Sequence, residues 1–227
     1  MKIAFLGDSI TLGYALENKE QDRFSGLVCR ELGAEEMNLG ITGTLIAKSG
    51  MSASDGTSFL DRLYRTAGCD FAVVFGGTND YFWGDTPIEA PKGIDTESSE
   101  ADKYFRTAVR KLLCGLLAMY PPERILVITP YPHHGIGNYR GAPDFRASRE
   151  HDTDAPNILS LCLEDYADAL REEAGRAGVL LLDLHTMYGN YSAGFDWRRL
   201  TSDGCHPNAE GHKWLAGLVT EKIKEQL

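Results

Sequence analysis

Five short apolar runs punctuate this chain, and the segments between them carry apolar residues at helical spacing. The runs are Lys2–Leu6, Glu36–Leu39, Asp70–Phe75, Arg124–Thr129 and Val179–Leu184. They are continuous rather than alternating, the pattern of strands covered on both faces, as in a parallel sheet. Phe24, Leu27 and Val28 share a helix face that stops at Gly33, and Phe59, Leu60 and Leu63 follow a Thr57/Ser58 cap and stop at Gly68. The fullest stripe is Phe105, Ala108, Val109, Leu112, Leu113 and Leu116. Another runs from Leu159 through Cys162, Leu163, Tyr166 and Leu170 to Gly178. A last helix is predicted from Pro207, carrying Trp214, Leu215 and Leu218.

Strand–helix repeats with right-handed crossovers predict a three-layer α/β/α sandwich around a five-stranded parallel sheet. For five strands the flavodoxin-like order 2-1-3-4-5 is favoured. No repeat or linker divides residues 1–227, so one domain is expected. The long connections Tyr81–Ser99, Pro130–Ala155 and His185–Asp203 all follow predicted strands. They gather at the edge where open α/β sheets bind ligands.

Four short blocks fall on that same edge: Gly7-Asp8-Ser9-Ile10, Asn38-Leu39-Gly40-Ile41-Thr42-Gly43, Gly76-Gly77-Thr78-Asn79-Asp80 and Asp203-Gly204-Cys205-His206-Pro207-Asn208. Each alone has an ordinary reading as a turn or a helix entry. Together they supply the parts of acyl transfer. A serine hydroxyl needs a base, and imidazole has an intrinsic pKa near neutrality, so Ser9 and His206 pair as nucleophile and base. Asp203, three residues before His206, can fold back onto Nδ1–H and fix the tautomer. The N–H of Ser9, the N–H of Gly43 and the amide of Asn79 can hold an anionic oxygen. Gly40 is the alternative to Gly43.

These blocks resemble those of the SGNH hydrolases, or GDSL esterases/lipases, whose letters match Ser9, Gly43, Asn79 and His206, with Asp203 in the Asp-x-x-His block. Ile10 stands where the family name has Leu, a conservative swap. The resemblance runs from Gly7 to Asn208 and implies a flavodoxin-like fold and ester hydrolysis through an acyl-enzyme. It implies no metal or organic cofactor.

Other residues take supporting readings. Asp8 is expected to hold the Ser9 turn through backbone hydrogen bonds, and Asp80 to support Asn79. Tyr81, Phe82, Trp83, Tyr139, Phe145 and Trp197 lie in the long loops, as a substrate wall or as loop packing, and His133 and His134 are rim residues rather than metal ligands. Cys205 reads as a small buried residue. Gly50-Met51-Ser52-Ala53-Ser54 lacks the last glycine of a G-x-S-x-G elbow and follows no strand. Asp95–Asp102 reads as a solvated helix start.

A formal net charge of −10 argues against nucleic acid as a partner. No stretch is long enough to span a bilayer, and five scattered cysteines without a C-x-x-C pair suggest a reducing, cytoplasmic setting. The expected substrate is a small-molecule ester, a short acyl group on a carbohydrate or other small alcohol. Rival readings are a lysophospholipase or thioesterase, an acyltransferase, and a non-enzymatic flavodoxin-like module that binds phosphate. Nothing in the sequence speaks to oligomeric state.

Overall fold

The structure, a computed structural model, describes residues 1–50, 55–82, 86–132, 156–189 and 197–227. Five strands form one parallel sheet in the order β2-β1-β3-β4-β5: β1 (Lys2–Gly7), β2 (Glu35–Gly40), β3 (Phe71–Phe75), β4 (Ile125–Ile128) and β5 (Leu180–Leu182). All are parallel because a helical crossover joins each strand to the next in the chain, and the alternation of side chains feeds two separate cores. Ile3, Phe5, Phe71, Val73, Leu126 and Ile128 point to one face. There they meet Phe24 and Val28 of α3 (Phe24–Leu32) and Leu215, Val219 and Ile223 of α10 (Ala209–Lys224). Leu6, Ala72, Val74, Ile125 and Val127 point to the other face. They pack on Phe59 of α4 (Phe59–Arg62), Phe105 and Leu112 of α6 (Phe105–Leu117), and Tyr166 and Leu170 of α7 (Leu163–Ala177). Phe105 and Tyr166 meet edge to face, ring centroids 5.0 Å apart.

The remaining described helices are short: α1 (Ser9–Leu12), α2 (Lys19–Asp22), α5 (Thr78–Phe82), α8 (Leu184–Gly189) and α9 (Trp197–Leu200). Among the described residues no helix is long and apolar enough to cross a membrane.

Several boundaries differ from the sequence expectation. Leu184 opens α8 instead of ending β5. The stripe from Leu159 becomes helical only at Leu163, because the Asn157 carbonyl oxygen of the side chain binds the N–H groups of Leu159 and Leu161 and Ser160 sits at φ +60°. The last helix starts at Ala209, capped by the Asn208 side chain on Gly211 N–H, while Pro207 pairs with Thr201 in an antiparallel bridge. The segment around Asp95–Asp102 ends in a 3-10 turn, Ser99–Lys103, whose Asp102 is buried and bound by Lys111 Nζ at 2.6 Å.

The register brings three strand ends level, Gly7 opposite both Gly40 and Phe75. The chain leaves β1 toward β2 on one side and reaches β3 on the other, so the crevice of the doubly wound sheet opens above β1.

Candidate active site

At that crevice β1 runs straight into α1. Asp8 caps the helix, its carboxylate accepting from Ile10 N–H at 2.9 Å, and Ser9 becomes the first helical residue. An N–H at that position has no acceptor inside the helix. The helix lies close on the strand ends because glycines leave room for it. A Cβ on Gly40 would come within 2.3 Å of Leu12 N, and one on Gly7 within 1.9 Å of Thr11 Oγ1.

Ser9 Oγ lies 3.0 Å from His206 Nε2, and His206 Nδ1 lies 2.7 Å from Asp203 Oδ2. The loop of the fourth block explains how three residues of spacing suffice. The Thr201–Pro207 bridge and the bond from Ser202 N–H to His206 C=O (2.8 Å) pinch it closed. Gly204 makes the bend at φ +86°, a value side chains resist. Asp203 Oδ1 then accepts from the N–H groups of Cys205 and His206, at 2.9 and 2.7 Å, which aims Oδ2 at the ring. Burial pushes the Asp203 carboxyl up, but the His206 ring and these N–H groups outweigh it and hold it down at about 2. Ser9 and His206 are buried, only 5% and 1% exposed.

Asn79 opens toward the same crevice from α5, whose Thr78, Asn79 and Asp80 are buried. Its amide nitrogen donates to Asp8 Oδ2 at 3.2 Å and to Thr44 C=O at 3.1 Å. Gly43, next to Thr44, sits at φ +77° with open space where a Cβ would stand, and its N–H donates to nothing among the described residues. Gly40 differs: its N–H already binds Asn38 Oδ1 at 2.9 Å.

The buried carboxylates brace this frame. Asp8 is pushed up to about 6 by burial, against the Ile10 N–H and the nearby His206 and Arg62. Asp80, raised to about 7 by burial, accepts from Ile46 and Ala47 N–H at 2.9 and 3.1 Å, so it grips the loop beyond Gly43 rather than Asn79 itself. Cys205 is buried, its thiol pushed far up, and its carbonyl accepts from Tyr131 Oη.

Tyr81 is buried, 6% exposed, and packs on Phe82 and Tyr166, ring centroids 5.2 and 6.1 Å away. Trp83, His133, His134, Tyr139 and Phe145 lie outside the described residues, as do the side chain of Trp197 and residues 51–54. Among the described residues no cluster of three His, Cys, Asp or Glu could hold a metal ion.

Two participants went unread in the sequence. Arg62 is buried behind the strand ends. It donates to Thr57 C=O at 2.7 Å, to Leu39 C=O, to Gly7 C=O at 3.2 Å and to Thr44 Oγ1 at 3.0 Å. Its signal was a cation three residues after Phe59, on the apolar face of the helix. Tyr14 stands against the His206 ring, centroids 4.6 Å apart; nothing in its local sequence marks it.

The model of the GDSL-like lipase/acylhydrolase family matches residues 5–214. Solved structures share the architecture. A protein from Lactobacillus plantarum is 25% identical with a TM-score of 0.75, covering 100% of this chain and 97% of its own. A lipase/acylhydrolase from Enterococcus faecalis is 21% identical with a TM-score of 0.63, covering 100% and 96%. A catalytic mutant of an acetylxylan esterase from Geobacillus stearothermophilus is 18% identical with a TM-score of 0.61, covering 98% and 93%. Among curated proteins none matches the chain in sequence.

Proposed function

This chain belongs to the GDSL-like lipase/acylhydrolase family, and from that premise we propose that it is a serine esterase working through an acyl-enzyme. The observation that carries the reading is the run of contacts from Ser9 Oγ to His206 Nε2 (3.0 Å) and from His206 Nδ1 to Asp203 Oδ2 (2.7 Å). In the first half-reaction Ser9 Oγ bonds to the ester carbonyl carbon while its proton passes to His206 Nε2. Asp203 steadies the imidazolium through Nδ1–H. Negative charge builds on the carbonyl oxygen, where Ser9 N–H, Gly43 N–H and Asn79 Nδ2 can donate to it. The bond to the alcohol oxygen then breaks, and Nε2 returns the proton to that oxygen. Water repeats the sequence on the acyl-enzyme and releases the carboxylic acid.

A short acyl group on a carbohydrate or other small alcohol is the substrate class we favour. One protein sharing the fold is an acetylxylan esterase, which makes acetylated sugars the first esters to try. The described free cysteines fit a reducing compartment such as the cytoplasm. Turnover of short-chain aryl and sugar esters by wild type but not by Ser9→Ala tests the reading. A variant that keeps most of the activity would overturn it. Product analysis with added alcohols separates hydrolysis from acyl transfer.

A further inference from the structure

Tyr14 is held beside the proposed base by the backbone that presents Ser9. The helix Ser9–Leu12 lasts one turn, Gly13 ends it at φ +83°, and Tyr14 N–H donates to Ser9 C=O at 2.9 Å. The phenol ring then meets the His206 ring, centroids 4.6 Å apart and planes tilted by 53°. Packed in this way, Tyr14 still leaves 44% of its surface exposed.

The chemistry of ester cleavage says what meets that exposed surface. His206 Nε2 takes the Ser9 proton and gives it to the leaving alcohol oxygen, so that oxygen comes within hydrogen-bond reach of Nε2. The carbon skeleton attached to it begins beside the imidazole, whereas the acyl chain hangs from the carbonyl carbon bonded to Ser9. A ring packed this close to the imidazole is placed to meet the alcohol part of the ester. A flat aromatic face packs best on another flat face, and its hydroxyl gives it a polar edge. The net charge of −10 disfavours an anionic alcohol part such as a phosphodiester headgroup.

We infer that Tyr14 is the contact surface for the alcohol part of the substrate and that it selects esters whose alcohol is an uncharged ring with a flat face, a pyranoside or an arene. This rests on the acyl-enzyme reading and adds to it the recognition of the leaving group.

The test keeps the acyl group constant and varies the alcohol. Ethyl acetate, a monoacetylated methyl xylopyranoside and phenyl acetate are compared on the full chain as wild type, Tyr14→Phe and Tyr14→Leu. Relative to ethyl acetate, kcat/KM for the ring esters should fall about tenfold in Tyr14→Leu, mostly through KM, and stay within about threefold of wild type in Tyr14→Phe. A fall confined to the sugar ester or to the aryl ester supports the inference and identifies the ring. Equal losses on all three esters would overturn it, reducing Tyr14 to a prop for His206, and so would no loss on any. Failure of the underlying reading looks different: wild type would then take no fluorophosphonate label at Ser9.

Discussion

Asn79 and Asp8 are joined side chain to side chain, Nδ2 donating to Oδ2 at 3.2 Å across 71 positions of sequence. The other oxygen of the same carboxylate caps the helix that begins with Ser9. Asn79 also reaches Thr44 C=O, beside Gly43. Ile41 N–H donates to Gly7 C=O at 3.2 Å, so three of the four blocks form one hydrogen-bonded unit, and His206 closes it through Ser9 at 3.0 Å.

If Asn79 donates to the developing oxyanion, Asn79→Ala lowers kcat by about a hundredfold. KM changes much less, because the interaction forms in the transition state. Steady-state kinetics on one aryl ester decide this; a rise in KM with kcat preserved would contradict it.

Asp203→Asn keeps the size of the side chain but loses the anion that fixes the His206 tautomer, and kcat should fall about 10³- to 10⁴-fold. The wild-type carboxyl sits at about 2, below its ordinary 3.8. Its contribution to stability is therefore present above about pH 4 and lost as pH falls through 2. Acid unfolding of the variant should show a weaker dependence on pH in that window, and identical acid transitions would refute the coupling.

Asp80 has the opposite sign. Burial raises its carboxyl from 3.8 to about 7, so the native state keeps a proton that the unfolded chain gives up. Its stabilising contribution is full below about pH 4 and is lost as pH rises through 7. Asparagine at this position does not titrate. The melting advantage of wild type over Asp80→Asn should shrink between about pH 4 and pH 8. A constant difference across that range would count against a raised Asp80.

Arg62→Lys keeps the charge but replaces a planar fork on three carbonyls and a hydroxyl with a single ammonium. It should cost about 2–4 kcal/mol in urea unfolding, and Arg62→Met at least as much, since buried acceptors are left unmet. A lysine variant within about 0.5 kcal/mol of wild type would show that the fork is dispensable.

What could be read without coordinates follows from how local each signal is. The inner strands β1, β3 and β4 are continuous apolar runs because both of their faces are covered. The edge strand Glu35–Gly40 is fainter, since Glu36 and Asn38 turn to Arg23, Ser25 and Thr11 instead of a core. Asp203 and His206 were legible because three residues close one loop. Arg62 and Tyr14 were not, because their roles depend on where distant strand ends and the His206 loop come to rest. Pro207 misled for a related reason: it serves the bridge that closes the Asp203 loop, and Asn208 caps the helix in its place.

The central claim is that Ser9 Oγ is the nucleophile activated by His206. Intact-mass analysis after exposure to a fluorophosphonate, followed by peptide mapping, tests it most directly. Wild type should gain one adduct on Ser9, Ser9→Ala none, and His206→Ala should label at least about a hundredfold more slowly. An unmodified wild type, or an adduct on any other residue, would contradict the account.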